Sequence, residues 1–121
     1  MPETVAVVGA SPKPERYSNK AVRLLREHGH TVLPVNPAQE MIEGLAVTPR
    51  IDDLPRGIDT VTMYVGPAQS GALLAPLLAL APRRVIFNPG AENPELEDGL
   101  RAAGIAVEEA CTLVLLRTGQ Y

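Results

Sequence analysis

Residues 4–37 read TVAVVGASPKPERYSNKAVRLLREHGHTVLPVNP and decide the fold of this chain. The first five residues, Thr4–Val8, are apolar or β-branched without interruption, which predicts a strand buried on both faces. Gly9 follows at once and allows a tight turn. Residues 10–17 then form an irregular loop, because the two prolines in this segment exclude regular helix and strand.

A helix and a second strand complete this unit. Residues 19–28 carry apolar side chains at helical spacing, and Gly29 stands where a left-handed C-terminal cap belongs. The short apolar run TVLPV, Thr31–Val35, predicts the next strand, and Asn36 with Pro37 ends it. A strand, a helix and a strand at this spacing indicate a right-handed βαβ unit with parallel strands.

The rest of the chain alternates in the same way. Further strands are predicted over residues 60–65, Arg84–Phe87 and residues 105–107. Helices are predicted over residues 94–103, closed by Gly104, and over residues 68–80, an apolar segment that indicates a buried helix kinked or restarted at Pro76. Weaker patterns favour an edge strand or loop over residues 44–47 and a helical turn over residues 50–54. We therefore predict one α/β domain over residues 1–121, with a Rossmann-type, doubly wound, mostly parallel sheet of five strands.

The composition agrees with this fold class and excludes several functions. Hydrophobic residues make up 45% of the chain, with no Trp and one Phe, so the core consists of aliphatic side chains, as in parallel sheets covered on both faces. A net charge of -3 argues against nucleic-acid binding. The single cysteine, Cys111, cannot form an internal disulfide, and no leader or span-length apolar segment is evident. We expect a cytoplasmic protein without a membrane segment.

Ligands of open parallel sheets bind at the carboxyl ends of the strands, near the point where the strand order reverses. The residues at these ends are Gly9, Ala10 and Ser11 after the first strand, Asn36 and Pro37 after the second, Val65, Gly66 and Pro67 after the third, and Asn88, Pro89, Gly90 and Ala91 after the fourth. A glycine without Cβ lets a phosphate approach, and the start of the helix offers backbone N–H groups to an anion. Because Lys13 and Arg16 add positive charge, the first loop indicates a phosphate site rather than a turn alone.

Two missing motifs narrow the ligand. After Gly9 the loop has no further glycine, so the dinucleotide motif G-x-G-x-x-G is missing, and Asn36 and Pro37 occupy the place of the acid that binds a ribose hydroxyl. Both features disfavour NAD. The motif G-x-x-x-x-G-K-[ST] is also missing from the sequence, which disfavours nucleotide hydrolysis.

The segment VVGASPKPERYSNKAVRLLREHGHTVLPVNP, with NPGAENPEL and EACTLVLLRTGQY later in the chain, resembles the small stand-alone CoA-binding-domain proteins. These are related to the CoA-binding part of succinyl-CoA ligase α subunits. The resemblance implies a Rossmann-type fold and coenzyme A as the ligand. It places Gly9, Ser11 and Lys13 at the phosphates, Ser18 and Asn19 as caps of the facing helix, Asn36 and Pro37 beside the adenosine half, and Val65, Gly66 and Pro67 along the next wall.

The ligases in this resemblance need a phosphorylatable histidine and a nucleotide-grasping domain. The two histidines here, His28 and His30, flank a predicted helix end away from the strand carboxyl ends, which favours solvated or helix-dipole roles. We therefore expect binding of coenzyme A or an acyl-CoA without catalysis and without a metal. The alternatives are a regulatory or scaffold protein with a vestigial pocket, or an NAD(P)-binding oxidoreductase fragment.

Other residues have simpler interpretations beside functional ones. Cys111 could meet the pantetheine thiol or be a small buried hydrophobe. Glu92 and Asn93 could touch a ligand or cap the helix that begins at residue 94. The adjacent acids at positions 52–53 and 108–109 point apart and indicate a solvated face. The apolar tail, residues 113–116, packs in the core or forms a homodimer contact.

Overall fold

The computed structural model describes residues 2–121. The strands are β1 (Thr4–Val8), β2 (Thr31–Val35), β3 (Met41–Ile42), β4 (Leu45–Ala46), β5 (Thr60–Met63), β6 (Arg84–Phe87) and β7 (Ala106–Glu109). The helices are α1 (Tyr17–Glu27), α2 (Pro67–Ser70), α3 (Leu74–Leu80), α4 (Pro94–Ala102) and α5 (Thr112–Arg117), with a 3₁₀ turn at Ile51–Asp53.

Five strands form one sheet in the order β2-β1-β5-β6-β7, and every pairing between them is parallel. The chain adds β2 on one side of β1 and then returns to add β5 on the other side. The strand order therefore reverses between β1 and β5, and both strands end there with their carboxyl ends at the same edge. The predicted five-stranded, doubly wound α/β fold is confirmed.

Both faces of the sheet are covered, and alternate residues of β1 show this. Val5 and Val7 pack in a cluster with Val22 and Leu25 of α1 and with Leu116 of α5. The residues between and after them, Ala6 and Val8, belong to a second cluster, which includes Leu77 of α3 and Leu96 and Leu100 of α4. The side-chain period of two in a strand explains this division. The continuous apolar run that predicted β1 is thus a strand buried on both faces.

The predicted helix over residues 68–80 is two helices, α2 and α3; a continuous helix is wrong, and the predicted restart near Pro76 is confirmed. The ring of Pro76 would clash with the carbonyl of residue 72 in a continuous helix. As the third residue of α3, Pro76 lies where an N–H would have no intrahelical acceptor, so it restarts the helix there. The expectation of a buried helix is also wrong, since only Leu77 of α3 is buried and Leu78 is exposed.

Several element ends differ from the sequence prediction. β5 ends two residues earlier than predicted, and β7 covers Ala106–Glu109 instead of residues 105–107. The uncertain segment forms a small antiparallel hairpin of β3 and β4, and the helical turn is present at Ile51–Asp53. The tail forms α5, whose Leu113 and Leu116 are buried in the core. No helix within residues 2–121 is both long and apolar enough to cross a membrane.

Candidate functional site

The turn after β1 requires a glycine. Gly9 has a φ of +86°, and a Cβ built on it would lie 2.8 Å from Cγ1 of Val65 and 3.2 Å from the carbonyl carbon of Tyr64. The backbone N–H groups of Gly9 and Ala10 both donate to the carbonyl of Val35, at 3.1 and 3.2 Å. This turn is therefore clamped between the ends of β2 and β5, and its first two amides are already occupied.

Side-chain amides anchor the loop that follows. Nδ2 of Asn36 donates to the carbonyl of Ala10 at 2.8 Å, and Nδ2 of Asn19 donates to the carbonyl of Ser11 at 2.9 Å. The guanidinium of Arg23 donates to the carbonyl of Pro14 at 2.8 Å. These bonds fix the path of a loop whose prolines prevent regular hydrogen bonding.

The expected caps of α1 are not caps. The helix begins at Tyr17, its N-cap residue is Arg16, and the N-cap side chain makes no capping hydrogen bond. Ser18 and Asn19 are the second and third helical residues and are buried. Asn19 faces inward, where it also donates to Oε2 of Glu43 at 3.1 Å. The prediction is wrong because the helix begins at Tyr17, so Asn19 lies in its first turn, where Oδ1 accepts from Nε of Arg23 at 2.8 Å instead of from a backbone N–H.

The start of α1 is therefore an open amino end. No acceptor within residues 2–121 takes the backbone N–H groups of Tyr17, Ser18 and Asn19. An open amino end of an 11-residue helix carries a partial positive charge and offers several N–H donors to one anion.

A cavity of about 360 Å³ opens beside this helix start, and we call it the cationic cavity. Its lining residues are Gly9, Ser11, Lys13, Arg16, Tyr17, Ser18, Tyr64 and Pro89. Lys13 and Arg16 are exposed, and neither has an acidic partner within 4 Å in the described part of the chain. Two unpaired cations next to an open helix end make this cavity a site for an anion such as a phosphate.

A second cavity of about 380 Å³ shares Gly9 with the first, and we call it the apolar cavity. It is lined by Val8, Gly9, Val35, Pro37, Pro49, Arg50, Ile51, Asp52, Val65, Gln69, Ala72, Leu73 and Pro76. The cationic and apolar cavities adjoin across the reversal point of the strand order. Together they fit a ligand that joins an anionic centre to an apolar ring system.

A buried polar network supports the wall at the end of β6. Nδ2 of Asn88 donates to Oγ1 of Thr62 at 2.7 Å and to the carbonyl of Met63 at 2.9 Å. Oδ1 of Asn88 accepts from the backbone N–H of Thr112 at 2.9 Å, which ties the start of α5 to the sheet. Asn88 is thus fully used in holding the site together, since buried polar groups need partners.

Two tyrosines of the cationic cavity were missed by sequence reasoning. The hydroxyl of Tyr64 is buried and has no hydrogen-bond partner in residues 2–121, and this burial raises the pKa of Tyr64 well above its usual value of 10.0. The ring of Tyr17 is 69% exposed, with the ammonium of Lys20 at 5.3 Å from its centroid. In the sequence Tyr64 lies inside the strand predicted over residues 60–65, one residue before its carboxyl end, and this place near the ligand edge was the signal that could have identified it.

The predicted site residues divide into three sets. Lining the cationic cavity are Gly9, Ser11, Lys13, Ser18 and Pro89. Lining the apolar cavity are Gly9, Pro37 and Val65. Neither cavity is lined by Ala10, Asn19, Asn36, Gly66, Pro67 or Gly90. Asn19 and Asn36 instead position the loop, as described above.

The capping interpretation applies to the segment after β6. Oδ1 of Asn93 accepts from the backbone N–H of Leu96 at 3.2 Å, as an N-cap does, and Oε1 of Glu92 accepts from the backbone N–H of Gly90 at 2.8 Å. Cys111 is half-buried at the start of α5, rather than fully buried.

The two histidines and Glu109 line neither of the two cavities. Nδ1 of His30 accepts from the backbone N–H of Glu3 at 2.9 Å, so this histidine is tied to the start of the sheet rather than simply solvated. His28 is exposed. A hydrogen bond with Glu97 and its charge raise the pKa of Glu109. Within residues 2–121 no group of three or more histidine, cysteine or acidic side chains could hold a metal.

Comparisons with known proteins show the family and the fold. A family model described as CoA binding domain matches residues 3–117. A crystal structure of an uncharacterized protein is 36% identical, with a TM-score of 0.95 and coverage of 100% of this chain and 99% of its own. The Thermus thermophilus structure called cell-free ID.343 is 34% identical, with a TM-score of 0.89 over 99% of this chain and 91% of its own.

One curated relative is much longer. The ADP-forming acetate–CoA ligase I of Archaeoglobus fulgidus is 34% identical over 64 residues, which are 53% of this chain. The match spans only 9% of the length of that ligase.

Proposed function

The chain belongs to the family of CoA-binding domains, and on this basis we propose that it binds coenzyme A, or an acyl-CoA, at the carboxyl ends of its parallel strands. The observation that carries the proposal is the cationic cavity at the reversal point of the sheet. There the open amino end of α1 and the unpaired side chains of Lys13 and Arg16 converge on one space.

The pyrophosphate of coenzyme A fits this cavity by charge and by donor geometry. The backbone N–H groups of Tyr17 and Ser18 supply donors, and Lys13 and Arg16 balance the ligand charge. Because Gly9 has no Cβ, no side chain separates the two cavities at this residue, so that a ligand can extend from one cavity to the other.

From the pyrophosphate, the two halves of the ligand extend in different directions. The adenosine half enters the apolar cavity, where Pro37 and Val65 provide apolar contact for the base. The pantetheine half leaves the cationic cavity past Tyr64 and Pro89. Asn36 acts on the ligand indirectly, because its side chain holds the carbonyl of Ala10.

We propose binding without catalysis by this domain. The residues that line the cationic cavity include no histidine, cysteine or carboxylate. Tyr64 stays protonated over the neutral range because its pKa is raised, so it offers no base. A cytoplasmic location and a homodimer stay predictions; Val114 on α5 is 53% exposed and would belong to such a contact.

Calorimetric titration of the purified protein tests the proposal. We expect heat and saturation with coenzyme A, and weaker or no binding of NAD and ATP, because the fingerprints for those nucleotides are missing from the sequence. Heat with neither coenzyme A nor dephospho-CoA would overturn the proposal. An unchanged melting temperature with every nucleotide would instead favour a scaffold with a vestigial pocket.

A further inference from the structure

The apolar cavity contains one cation among its described lining residues, Arg50. Its side chain is 71% exposed, and its Nε lies 3.5 Å from Oδ2 of Asp53, a contact that leaves the two terminal nitrogens of the guanidinium without a partner in residues 2–121. A guanidinium binds phosphate through two parallel N–H groups, and these are the groups left open.

The position of Arg50 follows from a short parallel pairing beside β2. The backbone N–H of Thr48 donates to the carbonyl of Pro34 at 3.0 Å, and the backbone N–H of Asn36 donates to the carbonyl of Thr48 at 3.1 Å. This pairing carries the chain past the end of β2, so that Pro49 and Arg50 meet Pro37 around the same cavity.

The end of the second strand is where a doubly wound fold meets the ribose of a nucleotide. In NAD-binding proteins a carboxylate stands there and accepts hydrogen bonds from the ribose hydroxyls. Here the corresponding side chain is Asn36, which is committed to the carbonyl of Ala10 and to the backbone N–H of Ala38 at 2.7 Å. At the ribose end of the apolar cavity, the cation Arg50 is therefore available to a ligand, whereas the side chain that follows β2, Asn36, is not free to accept a hydrogen bond from it.

We propose that Arg50 recognises a phosphate on the ribose of the ligand, so that the site selects coenzyme A over dephospho-CoA. This inference rests on the proposed function. Asp52 also lines the apolar cavity, and its carboxylate opposes a phosphate there. Arg50 thus increases the preference for coenzyme A over dephospho-CoA, and Asp52 decreases it.

A comparison of two ligands on matched variants tests the role of Arg50. The affinities of coenzyme A and dephospho-CoA are measured by calorimetry for the unmodified protein, for Arg50→Gln and for Arg56→Gln. Arg56 is an exposed arginine of the same segment that does not line the apolar cavity, so it controls for net charge. Melting temperatures check that each variant is folded.

We expect the unmodified protein to prefer coenzyme A by about tenfold, as for one charge-assisted phosphate contact. Arg50→Gln should reduce this preference to about twofold or less and leave dephospho-CoA binding nearly unchanged, while Arg56→Gln keeps the preference. Asp52→Asn should increase the preference. Equal binding of both ligands by the unmodified protein, or a preference retained in Arg50→Gln, would overturn the role of Arg50 alone, whereas binding of neither ligand would overturn the proposed function as well.

Discussion

The two ends of the parallel sheet differ in whether their charged residues have partners within the protein. At the amino end, Arg83 lies 2.6 Å from a carboxylate oxygen of Glu3, and Arg84 lies 2.9 Å from one of Glu108. Oγ1 of Thr60 also donates to Glu3 at 2.8 Å. These charges have internal partners, so the protein's own polar groups hold this end together.

The two cations of the cationic cavity, at the carboxyl end, have no such partners. Lys13 and Arg16 lie beyond 4 Å from every acid in the described chain, and the amides at the start of α1 are open. Unpaired positive charges repel one another and lower the stability of the fold, but they attract an anionic ligand. The comparison indicates that the polar groups of the amino end stabilise the fold, whereas those of the carboxyl end are available to the proposed ligand.

The largest expected effect concerns the crowded turn at the carboxyl end. Gly9→Ala combines a positive φ with a Cβ at 2.8 Å from Val65, whereas Gly29→Ala has a similar φ of +85° and open space around its Cβ. We expect Gly29→Ala to cost about 1 kcal/mol and Gly9→Ala about 2–4 kcal/mol in the free energy of unfolding, measured in urea. Equal costs would show that Val65 yields without penalty and that Gly9 is required only for its dihedral angle.

Removal of a paired cation at the amino end should act on stability alone. The guanidinium of Arg84 donates to Thr60 and Glu108 and lies 4.4 Å from the ring centroid of Tyr121. We expect Arg84→Ala to lower the free energy of unfolding by about 1–3 kcal/mol, because it leaves these partners unsatisfied. Affinity for coenzyme A should not change. A weakened affinity in a folded Arg84→Ala protein would contradict the division between the two ends.

Removal of an unpaired cation at the carboxyl end should weaken ligand binding and leave the stability of the free protein nearly unchanged. We expect Lys13→Ala to weaken coenzyme A binding by about 1–2 kcal/mol, more at low salt, because the ammonium meets phosphate through solvent-screened charge. The stability of the free protein should stay within about 0.5 kcal/mol, since Lys13 is exposed and has no acidic partner. Calorimetry in low and high salt, with urea unfolding of the same samples, checks both statements. Unchanged affinity would remove Lys13 from the site.

The smallest effect is a pH dependence at the amino end. Burial is the main cause that lowers the pKa of His30 below 6.5. The charge of Glu3 raises this pKa, whereas the charges of His28, the chain amino group and Arg84 lower it further. The neutral ring accepts from the backbone N–H of Glu3, so the unfolded chain binds more protons than the folded protein below pH 6.5. Stability should therefore fall as the pH falls from 6.5 through the lowered pKa.

Thermal melting across this pH range, compared with His30→Gln, isolates the histidine. The variant keeps an acceptor at this position but does not titrate, so its stability should fall less between pH 6.5 and 5. Parallel curves for the two proteins would show that His30 does not cause the dependence. Any remaining fall at lower pH is expected from Asp59, whose pKa is lowered by the hydrogen bond from the backbone N–H of Thr4.

The fold could be predicted from sequence because its signal is local. The uninterrupted apolar runs of β1, β2 and β6 mark strands covered on both faces, and Gly29 marks the end of α1. The candidate site was predicted less completely. Asn19 has the chemistry of a cap, but its partners Ser11 and Glu43 lie 8 and 24 residues away in the chain, so only the folded structure shows its role.

Two further site residues depend on long-range placement. Arg50 enters the apolar cavity only because Thr48 pairs beside β2, a contact that the weak pattern of this segment does not reveal. Tyr64 resembles a core aromatic in sequence, although it lines the cationic cavity and its hydroxyl is buried without a hydrogen-bond partner in residues 2–121. Sequence patterns define elements, whereas cavities arise between elements that are distant in the chain.

The most direct test of the division between the ends is a backbone amide NMR titration with coenzyme A. The open N–H groups of Tyr17 and Ser18, which line the cationic cavity, should show the largest shifts, because they gain hydrogen bonds to phosphate. The amides of Glu3 and Thr31, which are hydrogen-bonded at the amino end, should stay in place. Shifts concentrated at the amino end, or no shifts at residues 17–19 in the saturated protein, would contradict the account.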